Sequence, residues 1–150
     1  GITLDGIAKG CIVDAASRFL TDHSLVAAGG DMRARGGPWK IAIQDPWKKG
    51  NYPDVVELRD GAIATSGSYE VFYDSERHHL IDPKTGRSPH ASVSVTVRAS
   101  TATEADMLGT SVFAMEPSSR RAFVNGLPGR SCFIVGPRGE QWRSDGWRSA

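Results

Sequence analysis

Several short stretches of this 150-residue chain place residues of the right types at spacings that could carry chemistry. In STATEADMLGTSVFAM, Asp106 and Thr110 stand four residues apart, so on a helix their side chains stack on one face. A carboxylate and a hydroxyl are hard oxygen donors of the kind that hold Mg²⁺, which keeps several waters and takes phosphate oxygens as further ligands. The same pair would serve equally well as the polar side of a capped helix. The segment GIAKG, Gly6 to Gly10, opens an apolar-periodic run with small residues and Lys9, a composition that lets backbone N–H groups and an ammonium face an anion. It does not satisfy the P-loop pattern, and close helix packing beside a surface lysine would also account for it.

Two turns add polar groups. Gly29-Gly30-Asp31 allows positive φ and close backbone approach beside a carboxylate, and Ser66-Gly67 ends an apolar run without forming a Gly-x-Ser-x-Gly nucleophile elbow. In RHHLIDPKTG, residues 77–86, a strand would send His78 and His79 to opposite faces, so both could not readily bind one metal. His79 shares parity with Ile81, and His78 with Leu80 and Asp82, which leaves open which imidazole turns inward. Either could take a proton from a hydroxyl near neutral pH.

The elements that must position these groups follow from periodicity. Ile7, Ala8, Cys11, Ile12, Ala15, Ala16, Phe19 and Leu20 recur at helical spacing and predict an amphipathic helix over residues 6–20, with Asp14, Arg18 and Asp22 on its outer face. LVAA reads as a strand or buried turn, and the alternation in WKIAIQDPW predicts a strand ended by Pro46. VVELRDGAIATSG predicts a hairpin around Arg59-Asp60-Gly61, and EVFYDSERHHLID another. The β-branched run ASVSVTVRAS predicts a strand with Val93, Val95 and Val97 on one face. Thr101 and Glu104 form a Thr-x-x-Glu capping box at the head of a helix whose stripe is Ala105, Leu108, Val112 and Met115. A short helix ended by Gly126 and Pro128, then a hairpin turning at residues 136–139, complete the chain.

Composition sets the frame. Hydrophobic residues at 39%, charged residues at 23% and a formal net charge of +1 describe one soluble globular unit with no requirement for nucleic acid. No apolar run approaches the ~20 residues that cross a bilayer, and the opening GITLDGIAKG has no signal-peptide character. Cys11 and Cys132 lack any metal or redox spacing and are expected as buried thiols.

Taken in order, GIAKG with VDAA, LVAAGGDMRA, IAIQDPW, IATSGSYE, HHLIDPKTGR, SVSVTV and EADMLGTSVFAM resemble the ApbE family, the FAD:protein FMN transferases, along nearly the whole chain. The resemblance implies an α+β fold of mostly antiparallel sheet with packed helices, with residues 1–150 as a single portion of the catalytic domain. It implies binding of FAD with Mg²⁺ and transfer of FMN to a threonine hydroxyl of a partner flavoprotein, releasing AMP. Some relatives instead hydrolyse FAD to FMN and AMP, and a non-catalytic flavin-binding domain on the same fold is a further alternative.

Carried over by residue, the resemblance makes Asp106, Thr110 and a backbone carbonyl, Gly6 or else Ala8, the metal ligands. It turns Lys9 toward the flavin nucleotide, lines the cleft with Gly29, Gly30, Asp31, Ser66 and Gly67, and makes His79 the catalytic base with His78 a bystander. The chain departs from the family pattern at Thr3-Leu4-Asp5-Gly6, at Ala27 where asparagine is typical, and at Gly109 where alanine is typical. Relatives carry roughly as many residues again before GIAKG, including part of the FAD pocket. Their periplasmic or cell-envelope location, and any membrane anchor, would be encoded in that preceding part.

Overall fold

A computed structural model describes residues 3–68 and 78–150. Strands β1 (Ser24–Ala28) and β2 (Asp31–Arg35) form a hairpin over Gly29 and Gly30, whose φ values of 54° and 88° lie in the left-handed region that favours glycine. β5 (Ala62–Gly67), β6 (Ser94–Ala99), β7 (Ser131–Val135) and β8 (Gln141–Arg143) complete a six-stranded sheet in the order β1-β2-β5-β6-β7-β8, antiparallel at every pairing. β3 (Trp39–Ile43) and β4 (Asp54–Leu58) form a separate two-stranded sheet. The α+β class with a mostly antiparallel sheet is the fold observed.

Register decides which layer each side chain meets. Val95, Val97, Cys132 and Ile134 pack with Leu108, Val112 and Phe113 of helix α2 (Ala102–Ala114), while Ala62 packs with Val13 of helix α1 (Ala8–Ser17). On the opposite face Ile63, Phe133 and Val135 pack with Ile41, Ile43, Val56 and Leu58 of the small sheet. The large sheet is therefore the middle of three layers. This explains why the run around β6 is buried on both faces rather than one: Val95 and Thr96 are both 0% exposed. Thr96 satisfies its hydroxyl against Thr65, 2.9 Å away on the neighbouring strand.

The helices differ in how well periodicity foretold them. α2 starts at the predicted cap, with Thr101 Oγ1 accepting the Glu104 amide, and buries Ala105, Leu108 and Val112 as expected. Helix α3 (Pro117–Asn125) ends at Gly126, and the β7–β8 hairpin turns where predicted. α1 is shorter than the predicted helix, and its buried residues are Gly10, Val13 and Ser17, not the larger apolar stripe. Ile12 and Phe19 are 65% and 88% exposed, and Cys11 is exposed rather than buried. The reason is proximity: a Cβ at Gly10 would lie 2.4 Å from the Ala102 carbonyl oxygen, so the helices cross backbone to backbone along the side that lacks bulk.

Two further expectations change. Asp14 does not face solvent: its carboxylate accepts the amides of Ala102 and Thr103 and the Thr103 hydroxyl, capping α2 from the neighbouring helix. Nor do residues 55–67 form a hairpin, since β4 pairs with β3 while β5 pairs with β2 and β6. Arg59-Asp60-Gly61 instead carries the chain from the outer sheet to the central one, with Asp60 at φ 45°. The predicted hairpin through EVFYDSERHHLID falls largely on residues 69–77, outside the described residues.

Candidate active site

The site is assembled where the N-terminus of α1, the β1–β2 turn, the end of β5 and the middle of α2 meet. Its centre is a pair of carboxylates. Asp31, the first residue of β2, is 0% exposed, and Asp106, in mid-α2, is 3% exposed. Gly10 donates its amide to Asp106 Oδ2 at 3.0 Å, a bond that the tight α1–α2 crossing makes possible. Lys9, one residue earlier, donates to Asp31 Oδ1 at 3.0 Å and to the Gly29 carbonyl at 3.3 Å. The second Asp31 oxygen, Oδ2, is buried with no hydrogen-bond partner.

That oxygen carries the chemical meaning of the site. A buried carboxylate oxygen with no donor is costly, and native structures rarely leave one without a water or an ion in view. Burial, opposed by Lys9 and reinforced by the adjoining Asp106 carboxylate, pushes the Asp31 carboxyl up to about 6. Two carboxylates facing one ammonium form a site short of positive charge.

Thr110 lies one helical turn beyond Asp106, with its hydroxyl 3.3 Å from that of Ser66. A Cβ on Gly6 would meet the Thr110 side chain at 3.0–3.3 Å, so the backbone of the GIAKG turn reaches Thr110 only because position 6 is glycine. Between the two carbonyls considered for a metal, Ala8 begins α1 and its oxygen belongs to the helix ladder. The Gly6 carbonyl accepts no backbone amide among the described residues. Gly109, where the family pattern has alanine, lets Ser66 approach, since a Cβ there would sit 3.0 Å from its Oγ.

Gly6, Lys9, Gly29, Gly30, Asp31, Ser66, Asp106 and Thr110 are thus drawn together from four elements, and Gly67 follows Ser66 at the end of β5. The donors fit a hard cation. Carboxylate, hydroxyl and carbonyl oxygens converge beside an orphaned buried oxygen. Among the described residues no three His, Cys, Asp or Glu gather as they would around zinc. Mg²⁺, which needs only one or two carboxylates and completes its shell with water and phosphate, suits this set.

The histidines separate. His78 is buried at 1%, its Nε2 2.9 Å from the Pro89 carbonyl and its Nδ1 accepting the Leu80 amide at 3.3 Å. Its ring meets Phe113 edge-on at 5.6 Å, on the turn of α2 just past Thr110. His79 is exposed beside it. A buried, doubly engaged imidazole holds the segment against α2, while the neighbouring imidazole lies at the surface. Below it, Asp82 ties the turn by accepting the Lys84 amide and the Thr85 hydroxyl.

Sequence reasoning missed the roles of Gly10 and Asp14. Their partners lie 96 and 88 residues away, and no local pattern signals such contacts.

The ApbE family model matches residues 1–134. The FAD:protein FMN transferase of Escherichia coli K12 is 34% identical over 162 residues, covering 99% of this chain and 45% of that protein. That of Treponema pallidum is 33% identical, covering 91% and 44%. Among solved structures, the ApbE protein of Thermotoga maritima superposes with a TM-score of 0.87 at 37% identity, covering 96% of this chain and 51% of that one. The flavin transferase ApbE of Vibrio cholerae gives 0.81 at 31% identity, covering 96% and 50%. This chain therefore spans about half the length of the relatives it matches. With the family model extending over most of its residues and the same fold in solved members, the chain belongs to the ApbE family.

Proposed function

We propose that the protein serves in Mg²⁺-dependent transfer of FMN from FAD to a threonine hydroxyl of a partner flavoprotein, with AMP as the leaving group. The observation that carries this reading is the buried Asp31–Asp106 pair with its orphaned oxygen, set among Thr110, Gly6 and two turns that leave backbone open to a ligand. The names of its relatives, FAD:protein FMN transferase and flavin transferase, support it.

Asp106, Thr110 and the Gly6 carbonyl would hold the cation, which when bound neutralises charge on the pyrophosphate. Asp31 anchors Lys9, whose half-exposed ammonium then stands at the rim of the site where a pyrophosphate oxygen would arrive. The Gly29-Gly30 turn and Ser66-Gly67 would line the cleft that receives the ligand. His79 accepts the proton of the threonine hydroxyl as its oxygen attacks the FMN-side phosphorus, and the bond to the AMP oxygen breaks. His78, locked to Pro89 and Phe113, sets the position of His79. We place this work at the bacterial cell envelope on the family resemblance. None of the described helices is long and apolar enough to cross a membrane.

The test is intact-mass analysis of a threonine-bearing acceptor peptide incubated with the protein, FAD and Mg²⁺, with AMP measured in parallel. Addition of one FMN with an equal yield of AMP is expected. AMP and free FMN without an adduct would replace transfer by hydrolysis, and binding of FAD without AMP would leave a non-catalytic flavin-binding domain.

A further inference from the structure

At the other end of β5 and β6 lies a cavity of ≈ 440 Å³, between the central sheet and the outer one. Its walls include four arginines, Arg59, Arg98, Arg130 and Arg148, and one carboxylate, Asp60. Arg130 is neutralised by Glu104 at 2.5 Å, Arg59 lies 3.8 Å from Glu57, and Asp60 accepts the Gly36 amide at 2.7 Å. Arg98 and Arg148 have no carboxylate within 4.0 Å among the described residues. Arg98 emerges from β6 and is held by carbonyls alone, those of Glu57 at 2.9 Å and Arg148 at 3.3 Å. Burial pulls the Arg98 guanidinium below its ordinary value and the Glu57 carboxylate opposes this from beyond ion-pair distance, so Arg98 keeps unused N–H donors with no carboxylate in direct contact among the described residues.

We infer that this cavity binds a phosphate-bearing small molecule, with Arg98 and Arg148 as its anion-recognising residues. The volume falls within the ~300–1,000 Å³ of small-molecule sites, and guanidinium forks match phosphate oxygens in geometry as well as charge. Two guanidiniums with no carboxylate in ion-pair contact among the described residues suit a doubly charged phosphoryl group better than a single carboxylate. Concavity favours a small ligand over an acidic protein surface. The cavity shares no lining residue with the carboxylate centre: it lies beside Gly61, just ahead of β5, whereas Ser66-Gly67 closes the far end of that strand, roughly 17 Å away. It does not rest on the transfer reading.

Calorimetric titration of the purified protein in EDTA at low ionic strength tests this, using inorganic phosphate, pyrophosphate, AMP and a short polyglutamate peptide as probes. Saturable binding of pyrophosphate or AMP is expected, weakened about tenfold or more in Arg98→Gln and in Arg148→Gln. It should be unchanged in Asp106→Asn. AMP binding more tightly than pyrophosphate would assign contacts to the nucleoside, and equal affinities would assign recognition to the phosphates; both support the site. Should Arg98→Gln fail to fold after losing its bonds to two carbonyls, Arg148→Gln and Arg59→Gln, altered at exposed positions, carry the test. Absence of saturable binding overturns the inference. So does binding that survives all three arginine substitutions or is lost in Asp106→Asn, and so does tighter arginine-dependent binding of polyglutamate, which would make the cavity a protein-docking surface.

Discussion

Two regions along β5 carry opposite charge. At one end Asp31 and Asp106 are buried with Lys9 as their counter-charge and one oxygen unpartnered. At the other, Arg98 and Arg148 have no carboxylate within 4.0 Å among the described residues, and Arg98 leans on backbone carbonyls. The difference teaches how a small domain separates roles. The carboxylate end is closely packed, because glycines at positions 6, 10 and 109 bring backbone and side chains into contact there. The arginine end is an open crevice between layers that ordinary packing leaves unfilled. A buried, closely packed cluster suits holding a ligand in one geometry, whereas an open crevice lined by long cations suits reversible binding.

The sharpest way to break this contrast is at the carboxylate end. Asp106→Ala should lower Mg²⁺-dependent AMP release from FAD by at least ~100-fold and abolish thermal stabilisation by added Mg²⁺. Activity that survived would remove the metal from this end. Next in size is Gly10→Ala. The added Cβ would meet the Ala102 carbonyl oxygen at 2.4 Å, forcing the helices apart at a cost of about 1–3 kcal/mol in urea unfolding. An unchanged midpoint would show that the crossing is looser than described.

Asp14→Ala tests whether the tight end depends on α1 capping α2. Three accepted hydrogen bonds disappear, and a loss of about 1–2 kcal/mol is expected. Asp14→Asn, which keeps an acceptor, should lose less.

The smallest effect concerns His78. Burial is the main force holding its imidazole below the ordinary value of 6.5, and His79 and His90 act in the same direction against the Pro89 carbonyl. The unfolded chain therefore binds this proton more readily than the folded one. The stability contribution is fully present above pH 6.5 and is lost as pH falls through the folded value. Urea midpoints measured between about pH 7.5 and pH 5 should fall on the acid side, with a shallower slope in His78→Gln. An identical slope in that variant would assign the acid sensitivity to other groups.

Legibility in the sequence followed the range of the interactions. α2, its Thr101 cap, the β7–β8 hairpin and the alternation of β3 depend on neighbours within a few residues, and each appears where periodicity placed it. The helical stripe of α1 is equally local, yet it predicted the wrong face. Its apolar side chains were weighed by hydrophobicity, while the fold needed the side with the least bulk, Gly10 and Ser17, for close approach to α2. The supposed hairpin at Arg59-Asp60-Gly61 failed for a related reason, because a turn-forming composition fits a crossing between sheets as readily as a hairpin.

For the site, residue types and family resemblance named Gly6, Lys9, Asp31, Ser66, Asp106 and Thr110, and the folded chain brings these residues together. His78 and His79 could not be ranked by strand parity, and the structure separates them by burial, 1% for His78 against an exposed His79.

Taken alone, the sequence determined most strand and helix locations and the identity of the polar residues, since these arise from local propensity and from side-chain chemistry, while the α+β class came from its family resemblance. Tertiary structure alone decided that Asp31 and Asp106 share one buried space, that Asp14 caps a helix 88 residues away, and that arginines gather around a cavity at the opposite end. Those outcomes depend on contacts between distant segments, and on the burial that turns an ordinary carboxylate or guanidinium into a site.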